Sequence, residues 1–265
     1  MTHSEQRIWL IRELQKEPSQ LSNYLIPKDE KGQKDLLRAL MNIWMPTELD
    51  EEVLQIQDAY LKEEIRQGGI VTLDELLSGK DHPQIYLWQG DITRLKIGAI
   101  VNAANSQMLG CFRPLHACID NAIHSKAGLE LRLKCNSYME EKRETFGRNY
   151  EEPTGQAMIT PGYNLPCDYV VHTVGPIVQG GLRREHEELL ASCYRSCLNI
   201  AAENGLDSIA FCCISTGVFM FPNERAAEIA VETVGNWIDE TGSRMKVVFN
   251  VFKDIDLEIY QSILH

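Results

Sequence analysis

The 265-residue chain has no run of about 18 apolar residues that could cross a bilayer. Its polar opening, MTHSEQRIWLIRELQ, lacks both the basic start and the small-residue cleavage site of a secretory signal. A cytoplasmic protein with no membrane partner is expected. Positive charge is in deficit: 26 Lys and Arg against 38 Asp and Glu give a net charge of -12. That disfavours broad binding to nucleic acid, because the sequence-independent part of such binding rests on phosphate neutralisation by Lys and Arg. An anionic ligand must then be held locally, by backbone amides or a metal. Internal repeats and low-complexity segments are also missing. Cysteine, by contrast, is plentiful, with eight residues. In a reducing compartment these are expected to be buried thiols, metal ligands or nucleophiles, not a disulfide framework.

The texture of the chain changes once. Over the first 80 residues RIWLIRELQKE, QKDLLRALMNIWM, EEVLQIQDAYLKEEIRQ and TLDELLSGK carry apolar residues at three and four spacing, which predicts a helical extension. Its amphipathic stripes need a surface to cover, so it is expected to pack on the rest of the chain and to border a pocket or recognise a partner. A linker is expected in LSGKDHPQ at 77–84, with one unit at 1–80 and another at 81–265. Beyond Pro83 short β-rich runs (QIYLWQ, AIVNAA, AMITPG, YVVHTV, SIAFCCI, KVVFNVF) alternate with helical segments near 117–142, 184–204, 222–240 and 255–264. Pro222 suits the first turn of the third helix. A mixed sheet between helical layers follows.

Three stretches carry candidate chemistry. In CCISTGVFMFPNERAAEIA a strand runs through a loop containing Gly217 into a helix, an arrangement that can present amides to a phosphate and equally can be an ordinary turn. In WQGDITRLKIGAIVNAAN, Asp91, Asn102 and Asn105 stand at strand ends, where ligands of α/β sheets sit. Asp can accept from an exocyclic amine, and Asn offers donor and acceptor to sugar hydroxyls, although both residues also serve turns. GCFRPLHACID, residues 110–120, places Cys111, His116 and Cys118 together. Two thiolates and an imidazole are good zinc ligands, and three of them leave a fourth position open. Pro114 disfavours continuous helix there, so the chain can curl around an ion; the same residues could instead be buried at a helix start. The remaining thiols read as packing: Cys193 and Cys197 lie four apart on a helical face, and Cys212 and Cys213 sit in a strand. His172 reads as a core residue and His124 as helix packing.

The motifs QGDIT, IVNAAN, GQAMITPGYNLPCDYVVHTVGP and ISTGVFMFP, in this order over residues 83–265, resemble the macrodomain family, the ADP-ribose-binding fold. The resemblance implies a three-layer α/β/α macrodomain with a mixed sheet, preceded here by the helical extension. It implies that Asp91 and Ile92 hold adenine, that Ser215, Thr216, Gly217, Val218 and Phe219 wrap the diphosphate, and that Asn105 contacts the distal ribose; Asn102 is expected to bind the ligand with them. Phe252 matches a position where an aromatic stacks on adenine; a core phenylalanine on the last strand is the alternative.

Hydrolytic macrodomains carry a glycine-rich loop ending in Val-Asp-Gly-Ala-Ile-His. Here IDNAIH keeps Asp120 and His124, while GCFRPLHAC replaces the glycines and Asn121 replaces the small glycine after the aspartate. This resembles the microbial zinc-dependent macrodomains, which hydrolyse ADP-ribosyl bonds on proteins. The resemblance implies a Zn2+ held by Cys111, His116 and Cys118, with Asp120 orienting the distal ribose or the attacking water and Asn105 on the opposite wall. It also implies a mono-ADP-ribosylated substrate, a lipoyl carrier similar to the glycine cleavage H protein and modified by a class M-type sirtuin. The competing expectation is a non-catalytic ADP-ribose reader whose zinc only shapes the pocket.

Overall fold

The computed structural model describes residues 1–78 and 83–264, so the boundary expected between 80 and 81 lies outside the described residues. Three helices open the chain: α1 (His3–Leu14), α2 (Glu30–Ile43) and α3 (Glu51–Gly68). The first starts in a capping box, with Thr2 Oγ1 accepting from the Glu5 amide and the Glu5 carboxylate accepting from the Thr2 amide. The short strands β1 (Val71–Thr72) and β2 (Leu77–Ser78) follow.

The remaining elements are β3 (Ile85–Gln89), β4 (Leu95–Lys96), β5 (Ala99–Ala104), α4 (Ile119–Ala127), α5 (Leu129–Phe146), β6 (Ala157–Pro161), β7 (Tyr169–Val174), α6 (Arg184–Glu203), β8 (Ser208–Phe211), α7 (Asn223–Thr241), β9 (Lys246–Val251) and α8 (Asp254–Leu264). Seven strands form one sheet in the order β2-β3-β9-β8-β5-β7-β6. The five inner strands are mutually parallel, and β2 and β6 pair antiparallel at the edges. β1 and β4 make a separate parallel pair.

Alternation along β7 shows the two helical layers directly. His172 faces Asn102 and the α4 side, whereas the next residue, Thr173, faces Cys193 of α6. Both faces are therefore covered, and the inner strands are almost continuously apolar, as buried parallel strands require. Cys193, Cys197 and Cys212 are buried in this core, so they pack as apolar groups; Cys213 is half-buried.

The single helix expected over 117–142 is two. Gly128 adopts φ +102°, and a Cβ there would stand 2.7 Å from Gln57 Nε2, so the chain breaks between α4 and α5 where α3 approaches. Pro222 caps α7 from outside, and the helix itself begins at Asn223.

The extension has its own apolar cluster (Leu10, Ile11, Leu36, Leu40, Val53 and Tyr60 among others), which also takes in Leu129 of α5. Polar ties cross at the same place. The buried Arg132 of α5 donates to the carbonyls of Met41 and Trp44, and the Leu129 amide donates to Gln57 Oε1. Exposing Leu129 costs about 2 kcal/mol, and losing two or three such hydrogen bonds costs about 1 kcal/mol each. A chain beginning at Pro83 is therefore expected to melt roughly 10 °C below the full chain or to aggregate, as read by thermal circular dichroism. An unchanged midpoint would show that the extension contributes nothing to stability.

Candidate active site

The C-terminal ends of β3, β9, β8 and β5, which are neighbours in that order, all point to one edge of the sheet. Asp91 follows β3, Phe252 follows β9, the 212–222 loop follows β8, and Asn105 follows β5. At about 4.8 Å per strand the three steps span roughly 14 Å. Such a track of strand ends is where open α/β sheets hold ligands.

At its first end, Asp91 caps a short 3-10 turn, its Oδ1 accepting from the amide and hydroxyl of Thr93 and its Oδ2 from Lys126 Nζ. Burial works to raise its pKa, but Lys126 and Thr93 prevail and hold the carboxyl below its ordinary value. Buried Asn250 of β9 donates to the Gly90 carbonyl at 3.0 Å and so fixes the strand exit before Asp91. The Ile92 side chain is buried, which leaves its main chain as the part near the track. Phe252 is 77% exposed, so it is not a core residue. It stands beside the exit of β3, because Gln89 and Val251 are paired in register.

In the middle of the track, Ser215 (φ +66°) and Met220 (φ +57°) are non-glycine residues in the left-handed region. Such backbone is costly and concentrates at ligand sites. The Ser215 hydroxyl is buried and has no hydrogen-bond partner among the described residues. Thr216 donates its hydroxyl to the Cys213 carbonyl, Gly217 and Val218 are exposed, and Phe219 is half-buried with its carbonyl accepting from the Val178 amide. A Cβ on Gly217 would meet nothing within 4 Å.

At the far end the polar groups converge. Asn102, expected to bind the ligand, is instead fully buried and donates to Asp120 Oδ1 at 2.8 Å, so it supports the aspartate from inside the sheet. Asn105 donates to the Gly110 carbonyl at 3.1 Å and reaches Asp120 Oδ2 at 3.4 Å. Burial pushes the Asp120 carboxyl up to about 6. His124 Nε2 lies 3.6 Å from Asp120 Oδ1, and burial lowers the pKa of its imidazole well below the ordinary value, which keeps it neutral. Gly110 (φ +83°) makes room for it, because a Cβ there would stand 2.9 Å from the ring.

Beside Asp120 the loop 111–118 brings together the ligand atoms of Cys111, His116 and Cys118, all within 4.8 Å of one another. Pro114 and Leu115 (φ +55°) turn the chain back on itself. Cys111 Sγ and His116 Nδ1 are 3.5 Å apart, against about 3.6 Å for the S–N edge of a zinc tetrahedron with ordinary bond lengths. That edge, and the donor set of two sulfurs and an imidazole nitrogen, fit a zinc ion. Cys118 is the N-cap of α4, its Sγ accepting from the Asn121 amide at 3.4 Å. Burial pushes its thiol up to about 11, while that amide works in the opposite direction. A deeper group, His124, Cys135 and His172, is also close together. Both nitrogens of His172 are already engaged, by Asn102 and Thr160, so that group is core.

Lys126 and the α2 residues Arg38 and Asn42, which touch Asp91 and the 111–118 loop, were not legible from the sequence. Lys126 looks like an ordinary helical surface cation in sequence, and no local spacing links residues 38 and 42 to the loop they touch.

A mixed sheet between two helical layers, with polar residues along its parallel strand ends, defines a three-layer α/β/α protein. The chain belongs to the macro domain family, whose model matches residues 101–230. A protein named protein-ADP-ribose hydrolase from Treponema medium is 53% identical over 266 residues, covering 100% of both chains. Another of that name, from Staphylococcus aureus strain MSSA476, is 46% identical over 96% of this chain and 92% of its own length. Among solved structures, the Trypanosoma brucei macrodomain in complex with ADP-ribose is similar with a TM-score of 0.65 at 30% identity, covering 86% of this chain and 95% of that one. The Oceanobacillus iheyensis macrodomain with ADP has a TM-score of 0.58 at 38% identity, covering 67% and 88%.

Proposed function

We propose that the protein is a zinc-dependent hydrolase that removes mono-ADP-ribose from a modified protein side chain and releases ADP-ribose. The observation that carries this reading is a buried, hydrogen-bonded Asp120 at the start of a helix capped by one of three clustered soft ligands. The names of the curated relatives support the same activity.

The order of strand ends matches the order of parts in ADP-ribose. Asp91 and Phe252 hold adenine, by a charge-assisted hydrogen bond and by stacking. The 215–219 loop wraps the diphosphate, and the unpartnered Ser215 hydroxyl is a donor for it. Asn105 and Asp120 face the distal ribose, where the scissile bond lies. Cys111, His116 and Cys118 hold the zinc, which when bound supplies Lewis acidity to a substrate oxygen or a water. Asp120, raised toward neutral pH by burial and held by Asn102, orients the ribose or takes a proton from the attacking water.

The site is read as serving a cytoplasmic enzyme whose substrate is a lipoyl carrier similar to the glycine cleavage H protein, modified by a class M-type sirtuin; the motif resemblance supports this. Mixing the protein with the mono-ADP-ribosylated carrier, with and without chelator, tests both levels. Loss of the label that stops on chelation is the expected result. No release from any modified protein would leave a reader, not an enzyme.

Asp91→Ala is expected to weaken ADP-ribose binding by about 1.5 to 3 kcal/mol, the range for a hydrogen bond to an ionised acceptor. Calorimetric titration measures this directly, and equal affinity in variant and parent would place the nucleotide elsewhere.

A further inference from the structure

Arg38 and Asn42 are four residues apart on α2, so they lie on one face of that helix, and both reach the loop that carries the metal ligands. Arg38 donates through Nη2 to Asn121 Oδ1 at 2.6 Å and to the carbonyl of His116 at 3.3 Å, and through Nε to Asn121 Oδ1 at 3.2 Å. Asn121 in turn donates its side-chain amide to the Arg113 carbonyl and its backbone amide to Cys118 Sγ. The guanidinium thus touches one ligand through its carbonyl and another through a single intermediate residue.

Asn42 is fully buried and holds the turn between these ligands. Its Oδ1 accepts from the amide of Leu115, the residue at φ +55° immediately before His116, and its Nδ2 donates to Ser125 Oγ. Ser125 Oγ donates in turn to the Asn121 carbonyl. Both α2 residues therefore close on Asn121 and on the segment from Arg113 to Cys118. The Asn121 side chain is taken up by these contacts.

We propose that Arg38 and Asn42 are positioning residues for the metal site, and that the helical extension is in this sense part of it. They hold the 111–118 loop with its two sulfurs and one nitrogen converged before an ion arrives. The inference rests on the reading of Cys111, His116 and Cys118 as zinc ligands. Groups that orient ligands from behind typically change metal affinity by about 10- to 100-fold when removed.

The test uses the full chain with Arg38→Gln, Asn42→Ala and, as a control on the exposed face of the same helix, Lys31→Gln. Zinc affinity is measured by competition with a chromophoric chelator, and the thermal midpoint of each protein is measured without metal. The expected result is a loss of zinc affinity of about 10- to 100-fold for Arg38→Gln and Asn42→Ala in proteins that remain folded without metal, with Lys31→Gln within twofold of the parent. A zinc-binding parent whose Arg38 and Asn42 variants bind zinc within threefold of it would overturn the positioning role alone. Weakening seen only in variants that have also unfolded without metal would overturn it too, since general damage to the fold does the same. A parent that binds no zinc would remove the metal site and the positioning role together.

Discussion

Asp120→Ala is expected to slow release of ADP-ribose from a modified protein by on the order of a hundredfold or more, about 2.7 kcal/mol of transition-state stabilisation. Affinity for free ADP-ribose should fall much less. Binding contacts are shared by ground state and transition state, whereas a group acting on the scissile bond is used mainly in the latter. The residues assigned to the two roles stand apart in the fold. Asp91, Phe252 and the 215–219 loop stand at the ends of β3, β9 and β8, and Asp120 lies beyond them, beside Asn105 at the end of β5 and the 111–118 loop. The substitution also removes the acceptor of Asn102 Nδ2 inside a buried cluster, so circular dichroism must accompany the kinetics. A folded variant that releases ADP-ribose at the parental rate would turn the reading from hydrolase to reader.

Removal of zinc should be as damaging. The purified protein is expected to contain about one zinc per chain, and Cys118→Ala or His116→Ala to lose most of it by elemental analysis, together with turnover. Because burial pushes the Cys118 thiol up to about 11, it is protonated at neutral pH without a metal and must lose that proton to ligate. Zinc binding should therefore release protons and weaken as pH falls. Titrations in buffers of different ionisation enthalpy would show the release. Protein never exposed to chelator but free of metal, or a Cys118→Ala variant with parental zinc, would sink the site.

Much of this arrangement was legible before any coordinates. The alternation of β-rich and helical runs after Pro83 gives the layers, because burial on both faces of a parallel strand writes a continuous apolar run into the chain. The cluster of Cys111, His116 and Cys118 was a candidate for a local reason too: its members lie within eight residues and Pro114 disfavours a helix between them, with a buried helix start as the alternative. Other features were ambiguous. Phe252 reads equally as core or platform in KVVFNVF, and only the end of β9 leaves it 77% exposed. Asn102 and Asn105 look equivalent in IVNAAN, yet strand alternation and depth send one to support Asp120 from inside and leave the other on the wall of the track.

What the sequence by itself determined is local: the helical stripes of the extension, the strand-loop-helix units, the donor set of the 111–118 loop and the motifs that place the chain among macrodomains. Each is encoded by residues a few positions apart, where backbone geometry and side-chain chemistry act directly. Tertiary structure alone decided that strand ends distant in sequence form one track and that Lys126 pairs with Asp91. It alone decided that Arg38 closes on Asn121, 83 positions away. Contacts of that range depend on how whole elements pack, and the packing is set by the summed burial of many side chains. No single spacing in the chain records it.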